Sequence, residues 1–209
     1  AAIVRSLTKS KYKENFLGLN NMLSAMKKNN IHKIIYFSTQ NVHLRNTGDY
    51  GNSKKECEKL ILESKLDYII IRPNYVYGID KKNDFYYLFN IIKKTRICPV
   101  IGNGNNKFQP LNKKDLSKAI VGLLDKFKTG EISDISGKYT VTINEIIDLI
   151  RKETSLKFLT IHIPIFLLKI FKKIIPFDID GYEEDKVALE NGCILDSDIK
   201  KDLKEILKL

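Results

Sequence analysis

Residues 67–78, DYIIIRPNYVYG, decide how this chain is read. Three isoleucines in a row are apolar in both directions of the pleat, the pattern of a strand buried on both faces of a sheet. Pro73 lacks a backbone N–H and stops the run. Working backwards, Tyr50 to Ser64 places Cys57, Leu60 and Ile61 on one side of a helix. HKIIYFS (32–38) is a second short buried strand. KYKENFLGLNNMLSAMK (11–27) gathers Phe16, Leu19, Leu23 and Met26 near one helical face. Helix, strand, helix, strand is the rhythm of a parallel sheet covered by helices.

Downstream of Gly78 the pattern loosens. DFYYLFNIIKK (84–94) predicts an aromatic-rich helix, and ICPVIGNGNNKFQP (97–110) a loop region with a short apolar start. DLSKAIVGLLDKF (115–127) sets Leu116, Ala119, Ile120, Leu123, Leu124 and Phe127 on one helical face. Thr142 and Glu145 have the spacing of a capping box ahead of another helix. The tail, DIKKDLKEILKL, is amphipathic. Gly102 and Gly104 form a GxG, but a dinucleotide loop needs a third glycine where Lys107 stands, and Pro110 obstructs the helix that must follow. The stretch reads as a turn. With no repeats and no low-complexity linker, the chain reads as one compact unit.

The composition is that of a globular domain: 209 residues, 43% hydrophobic and 29% charged. Lys and Arg number 36 against 25 Asp and Glu, a formal charge of +11. The lysines are dispersed among acidic residues, which describes a solvated surface rather than a nucleic-acid footprint. The three cysteines (Cys57, Cys98, Cys193) are far apart and the three histidines isolated, which fits a reducing cytoplasm and no metal site. FLTIHIPIFLLKIF (158–171) is too short to span a bilayer. Core or partner-facing packing is the expected use of this stretch, with membrane-surface contact by 158–176 as the lesser alternative.

The candidate site is a constellation. The strand at 32–38 ends in YFSTQNV, which puts Ser38 and Thr39 at its carboxyl end, where ligands bind in open α/β sheets. Tyr50 and Lys54 follow, four apart and on one helix face. The next strand ends in RPNYVYG. This order resembles the NAD-dependent epimerase/dehydratase family of the extended short-chain dehydrogenase/reductase superfamily. KENFLGLNNML and FQPLNKKDLSKAIVGLL, with Asp115 opening a helix, are similar to further family segments, so the resemblance covers nearly the whole chain. It implies a Rossmann-like doubly wound parallel sheet lacking its first strands, with a small C-terminal α/β substrate lobe. Residues 1–78 would be the C-terminal part of the NAD(P)-binding domain and 79–209 the substrate-side lobe, interleaved with it. AAIVR resembles the end of the family's fourth strand, so about 60–80 residues, the first βαβ units with their glycine loop, would precede Ala1.

The resemblance also implies a chemistry: an NAD(P)-dependent oxidoreductase or epimerase acting on a sugar, nucleotide sugar or similar hydroxyl or keto compound. Tyr50 would be the acid/base. Free tyrosine titrates near 10, and a lysine cation nearby lowers that value. Lys54 would supply the cation and hold the nicotinamide ribose, and Thr39 would hydrogen-bond the reacting oxygen. NAD or NADP would meet Ala1, Ala2, Ser38, Tyr50, Lys54, Pro73, Asn74 and Val76. The small-molecule substrate would meet Gln40, Asn41, Tyr77, Lys107 and Gln109, and a homodimer would be the expected assembly. Three features depart from the family pattern. Gln40 and Asn41 replace the Asp-Glu pair of its dehydratases, which argues against water elimination. Phe108 stands where a diphosphate-binding Arg is usual, with Lys107 beside it. The short loop from Thr39 to Tyr50 and the tail (IHIPIFLLKIF, EEDKVALENGCIL) resemble the atypical, complex I accessory-subunit-like branch. The alternative expectation is therefore a non-catalytic NAD(P)-binding scaffold or assembly subunit.

Overall fold

Ile69, Ile70 and Ile71 are fully buried because their strand lies between two others and under helices on both sides. The computed structural model describes residues 9–170, 180–189 and 192–209. In chain order it begins with α1 (Lys9–Lys28), β1 (Lys33–Phe37), a 3-10 turn (Gln40–His43), α2 (Gly48–Glu63), β2 (Asp67–Pro73) and β3 (Val76–Tyr77). Next come α3 (Asp84–Thr95), β4 (Ile97–Ile101), β5 (Lys107–Phe108), β6 (Leu111–Asn112) and α4 (Lys113–Asp125). The remainder is β7 (Glu131–Gly137), β8 (Val141–Thr142), α5 (Ile143–Thr154), β9 (Leu159–Ile163), α6 (Ile165–Ile170), β10 (Cys193–Leu195) and α7 (Ile199–Ile206).

The main sheet has the order β1-β2-β7-β10, and every pair in it is parallel. Successive side chains of β2 point to opposite faces. Ile70 joins Leu19, Met26, Cys57 and Ile61 beneath α1 and α2. Ile69 and Ile71 join Leu111, Leu116 and Ile135 beneath α4. Helices on both faces of a parallel sheet make the doubly wound arrangement the sequence predicts, and they explain why the isoleucine run does not alternate. A third core, around Phe85, Phe89, Ile92, Ile146 and Ile150, ties α3, β4, α5 and α7 together. The chain crosses between these cores, since α4 and β7 return to the main sheet after α3 and β4 have left it.

The capping box forms as read: the Thr142 side chain accepts from the Glu145 N–H, and the Glu145 carboxylate accepts from the Thr142 N–H at 2.7 Å. Gly102 and Gly104 take positive φ values of 67° and 72° in a turn. Two expectations change. The apolar start of 97–110 is a strand, β4, paired along its length with β9. Its sequence, ICPVI, carries a proline that hides the strand signal, tolerated here in a two-stranded sheet. The stretch 158–171 divides at Pro164 into a strand and a short helix, and much of its apolar surface is exposed, which removes the core half of the expectation and leaves the partner-facing half open. Residue 171 and those to 176 lie outside the described residues. Leu124 is likewise exposed, on the outer side of α4. Among the described residues, no helix is long and apolar enough to cross a membrane.

Gly137 ends β7 where a Cβ would lie 1.8 Å from the Pro110 carbonyl oxygen. Backbone atoms cannot yield cheaply, so Gly137→Ala is expected to cost about 1–3 kcal/mol in a urea denaturation series. Gly18, in α1, has nothing within 4 Å of such a Cβ. Gly18→Ala should raise stability by about 0.5–1 kcal/mol in the same assay.

Candidate functional site

The carboxyl end of β1 is where the expected site residues collect. The Ser38 N–H donates to the Ile71 carbonyl at 2.7 Å and carries the ladder one residue past the strand. Thr39, in extended conformation, then caps the 3-10 turn, its hydroxyl accepting from the Asn41 N–H at 3.3 Å. From α2, Lys54 reaches the same place. Its ammonium donates to the Phe37 carbonyl at 2.6 Å and to the Tyr36 hydroxyl at 3.2 Å, and it lies 4.7 Å from the centre of the Tyr36 ring. Tyr50 is one helical turn earlier, with its ring 6.3 Å from that of Tyr12.

Lys54 is only 3% exposed. Burial lowers its pKa, while the nearby Cys57 and Glu58 partly oppose the shift. The expectation that Lys54 depresses Tyr50 is not met in this arrangement. Burial, reinforced by the Tyr12 phenol, pushes Tyr50 up to about 12. Tyr36 is also driven well above the ordinary phenol value, by burial first and then by its hydrogen bond with Cys57. The Lys54 ammonium is bonded to Tyr36 and to a backbone carbonyl, and burial is the dominant influence on Tyr50. Ser38 is buried, and its Oγ has no hydrogen-bond partner among the described residues.

Behind this end of the sheet runs a chain of charges that the sequence reading missed. Arg72, at the end of β2, forms a fork with Glu58 of α2 at 2.9 and 2.6 Å. Its other side is 3.9 Å from Asp134 of β7, which meets the His43 ring at 2.8 Å. Glu58 and Asp134 are almost fully buried. Lys54 and Glu58 sit at i and i+4, a readable signal, but Arg72, Asp134 and His43 are brought in only by the sheet order.

Other expected residues form a separate polar cluster. Asn74 donates to the Gln40 side-chain oxygen at 2.6 Å and to the Lys186 carbonyl at 2.7 Å. Its own oxygen accepts from the N–H groups of Tyr75 and Gln109. Both donors and both lone pairs of this amide are thus filled. Gln40 donates to the Ser136 hydroxyl at 2.8 Å, and the Gln109 side chain accepts from the Ala188 N–H. The Lys107 N–H donates to the Asp185 carboxylate at 2.8 Å. Residues 185–188 of the chain itself therefore bond to residues expected to face cofactor or substrate. Asn41 and Pro73 are half-buried and Val76 is exposed. Tyr77 is placed in the third core, its hydroxyl donating to Asp202 at 2.7 Å. Ala1 and Ala2 lie outside the described residues. Phe108 packs edge-on against Tyr75 at 5.7 Å. Among the described residues no group of three or more His, Cys, Asp or Glu side chains gathers to hold a metal.

The model of the NAD dependent epimerase/dehydratase family matches residues 2–136. The chain belongs to this family. It is 27% identical over 143 residues to a UDP-glucose 4-epimerase of Vibrio cholerae, covering 66% of this chain and 43% of that protein. It is also 27% identical over 139 residues to a mitochondrial protein of Dictyostelium discoideum, NADH dehydrogenase [ubiquinone] 1 alpha subcomplex subunit 9, covering 65% and 38%. The chain thus spans about two fifths of the length of these relatives. In structure it is similar to the UDP-glucose 4-epimerase of Thermotoga maritima, solved with UDP-glucose, with a TM-score of 0.74 at 16% identity over 95% of this chain and 70% of that one. The Rossmann-like fold of the family member is the common element.

Two outcomes follow from this geometry. Glu58→Gln takes the carboxylate fork from the half-buried Arg72, whose remaining carboxylate partner, Asp134, is 3.9 Å away, and should cost about 1–3 kcal/mol, read from urea midpoints. Tyr50 ionises at about 12 in the fold, against about 10 in an unfolded chain. Its contribution to stability is therefore complete below about pH 10 and is lost as the pH rises towards 12. Melting temperatures of Tyr50→Phe should fall less steeply than wild type across that window.

Proposed function

We propose that this chain carries the catalytic centre of an NAD(P)-dependent epimerase or oxidoreductase acting on a sugar or nucleotide sugar. The observation that carries the reading is the buried Lys54 ammonium held on the Phe37 carbonyl at the end of β1, with the following residue, Ser38, carrying a buried hydroxyl that has no partner among the described residues. A buried hydroxyl without a partner costs free energy unless a ligand satisfies it. An ammonium has three donors, and two of those on Lys54 are accounted for. These groups fit the hydroxyl-rich ribose of a nicotinamide nucleotide, with Lys54 and Ser38 as its holders. When bound, that cofactor supplies the hydride acceptor and donor.

The chain's own residues supply the rest. Tyr50 exchanges the proton of the reacting hydroxyl, and Thr39 orients the same oxygen. As the phenol stands, at about 12, it is held protonated, the form that donates. Acting as a base requires a cation closer to it than Lys54 now supplies, so loading the site must turn the ammonium from Tyr36 towards Tyr50. Gln40 is fixed by Ser136 and Asn74, and neither it nor Asn41 has a carboxyl group. Elimination of water therefore lacks its acid and base, which favours epimerisation or net oxidoreduction over dehydration. The likeness to the Vibrio cholerae and Thermotoga maritima epimerases supports the same reading.

A second reading, a non-catalytic cofactor-binding subunit, is favoured by one feature. Asn74, Gln40 and Gln109 spend their hydrogen bonds on each other and on residues 186–188, leaving few polar groups for a substrate. The two readings separate in one experiment on the whole protein. NADH and NADPH binding are followed by fluorescence, and turnover of UDP-sugars by chromatography. On the catalytic reading Lys54→Met weakens nucleotide binding tenfold or more, while Tyr50→Phe keeps binding and lowers turnover by about 100- to 10,000-fold. Binding without turnover, unaffected by Tyr50→Phe, establishes the scaffold. Absence of nucleotide binding in the wild type sinks both.

A further inference from the structure

The small sheet of β4 and β9 leaves one of its faces unused. The strands pair with Ile97 opposite Leu159, Pro99 opposite Ile161 and Ile101 opposite Ile163. Alternation puts these six on one face. The opposite face of β4, with Cys98 and Val100, is buried against the third core. The outer face is open: Leu159 is 63% exposed and Ile161 41%. Directly after Pro164, α6 adds Phe166 at 65% and Ile170 at 69%. Exposed apolar side chains gathered on two successive elements are costly in water and mark an interaction site.

Its margin is cationic. Arg96 and Lys157 flank the starts of the two parallel strands, and the Leu159 N–H donates to the Arg96 carbonyl at 2.9 Å, which holds both at one edge. Lys93 and Lys94 form the last turn of α3 beside them, both exposed. Lys169 projects from α6, where Glu183 meets it at 3.0 Å. The segments 93–101 and 157–170 together hold five Lys or Arg and no Asp or Glu. That local excess stands out from a chain whose charges are otherwise interspersed.

We propose that this face docks the protein onto an anionic lipid surface. Aliphatic and phenylalanine side chains insert among acyl chains without needing a matching partner shape, and a cationic rim is drawn to acidic headgroups. A specific protein partner would call for anchors of the Tyr, Trp or Arg kind at the centre of the face, whereas the outward positions are Ile, Leu and Pro. This inference does not depend on the proposed catalytic activity.

The test is co-sedimentation of the whole protein with vesicles of phosphatidylcholine alone or with about 30% phosphatidylglycerol. Binding should be at least about tenfold tighter to the anionic vesicles and should weaken from about 0.1 M to about 0.5 M salt. Phe166→Ser with Ile170→Ser, and separately Lys93→Glu with Lys94→Glu, should each reduce it about tenfold or more while the melting temperature stays unchanged. All four positions are exposed, so the fold does not depend on them. Absence of binding to either vesicle, or equal binding to both that neither variant weakens, overturns the proposal. So does a light-scattering dimer abolished by Phe166→Ser with Ile170→Ser, since that result assigns the face to a second copy of the chain.

Discussion

Burial of β2 on both faces is the constraint on which the rest depends. A strand with Ile69 and Ile71 to one side and Ile70 to the other is stable only when helices cover both sides and neighbouring strands satisfy its backbone. Fully burying each isoleucine contributes roughly 1.5–3 kcal/mol of transfer free energy, enough to make the alternative of an exposed face untenable. Once β2 is central, β1 and β7 must lie beside it in parallel, and connections long enough for helices must join them. The carboxyl ends of all these strands then fall at one end of the sheet, which is where Ser38, Thr39, Arg72 and Asp134 meet.

That end is polar, and its two groups of polar residues do different work. The Glu58–Arg72–Asp134–His43 chain fastens α2 to β2 and β7 through charge-assisted contacts in a place where an unpaired charge is expensive. It therefore fixes the helix that carries Tyr50 and Lys54. The Gln40–Asn74–Gln109 cluster fastens the returning segment 186–188 to the neighbouring loops. The first group stiffens α2, and the second ties the loops after β1 and β2 to residues 186–188.

Tyr50 and Lys54 illustrate what spacing can and cannot say. Two residues four apart on a helix share a face, and that much follows from the geometry of the helix alone. What the ammonium does is decided by β1, which presents the Phe37 carbonyl and the Tyr36 hydroxyl within its reach. The Tyr50 phenol is governed by burial and by the neighbouring Tyr12, and its pKa rises instead of falling. The same limit applies to Tyr77 and Asn74. Both stand in a motif associated with the site, yet one is spent on Asp202 in a core and the other on four internal hydrogen bonds.

By itself the sequence determined the α/β class, the helices α1, α2, α3 and α4, the strands β1 and β2, the capping box at Thr142 and the family. All of these rest on local periodicity or on short ordered motifs, which the chain carries wherever it folds. Tertiary structure alone decided the rest: that β4 is a strand and not a loop, that much of the apolar surface of 158–170 faces outward, and that Arg72, Asp134 and His43 belong to one network. The reason is physical. A side chain's partner, exposure and protonation depend on groups tens of residues away, and a one-dimensional pattern holds no distance between them.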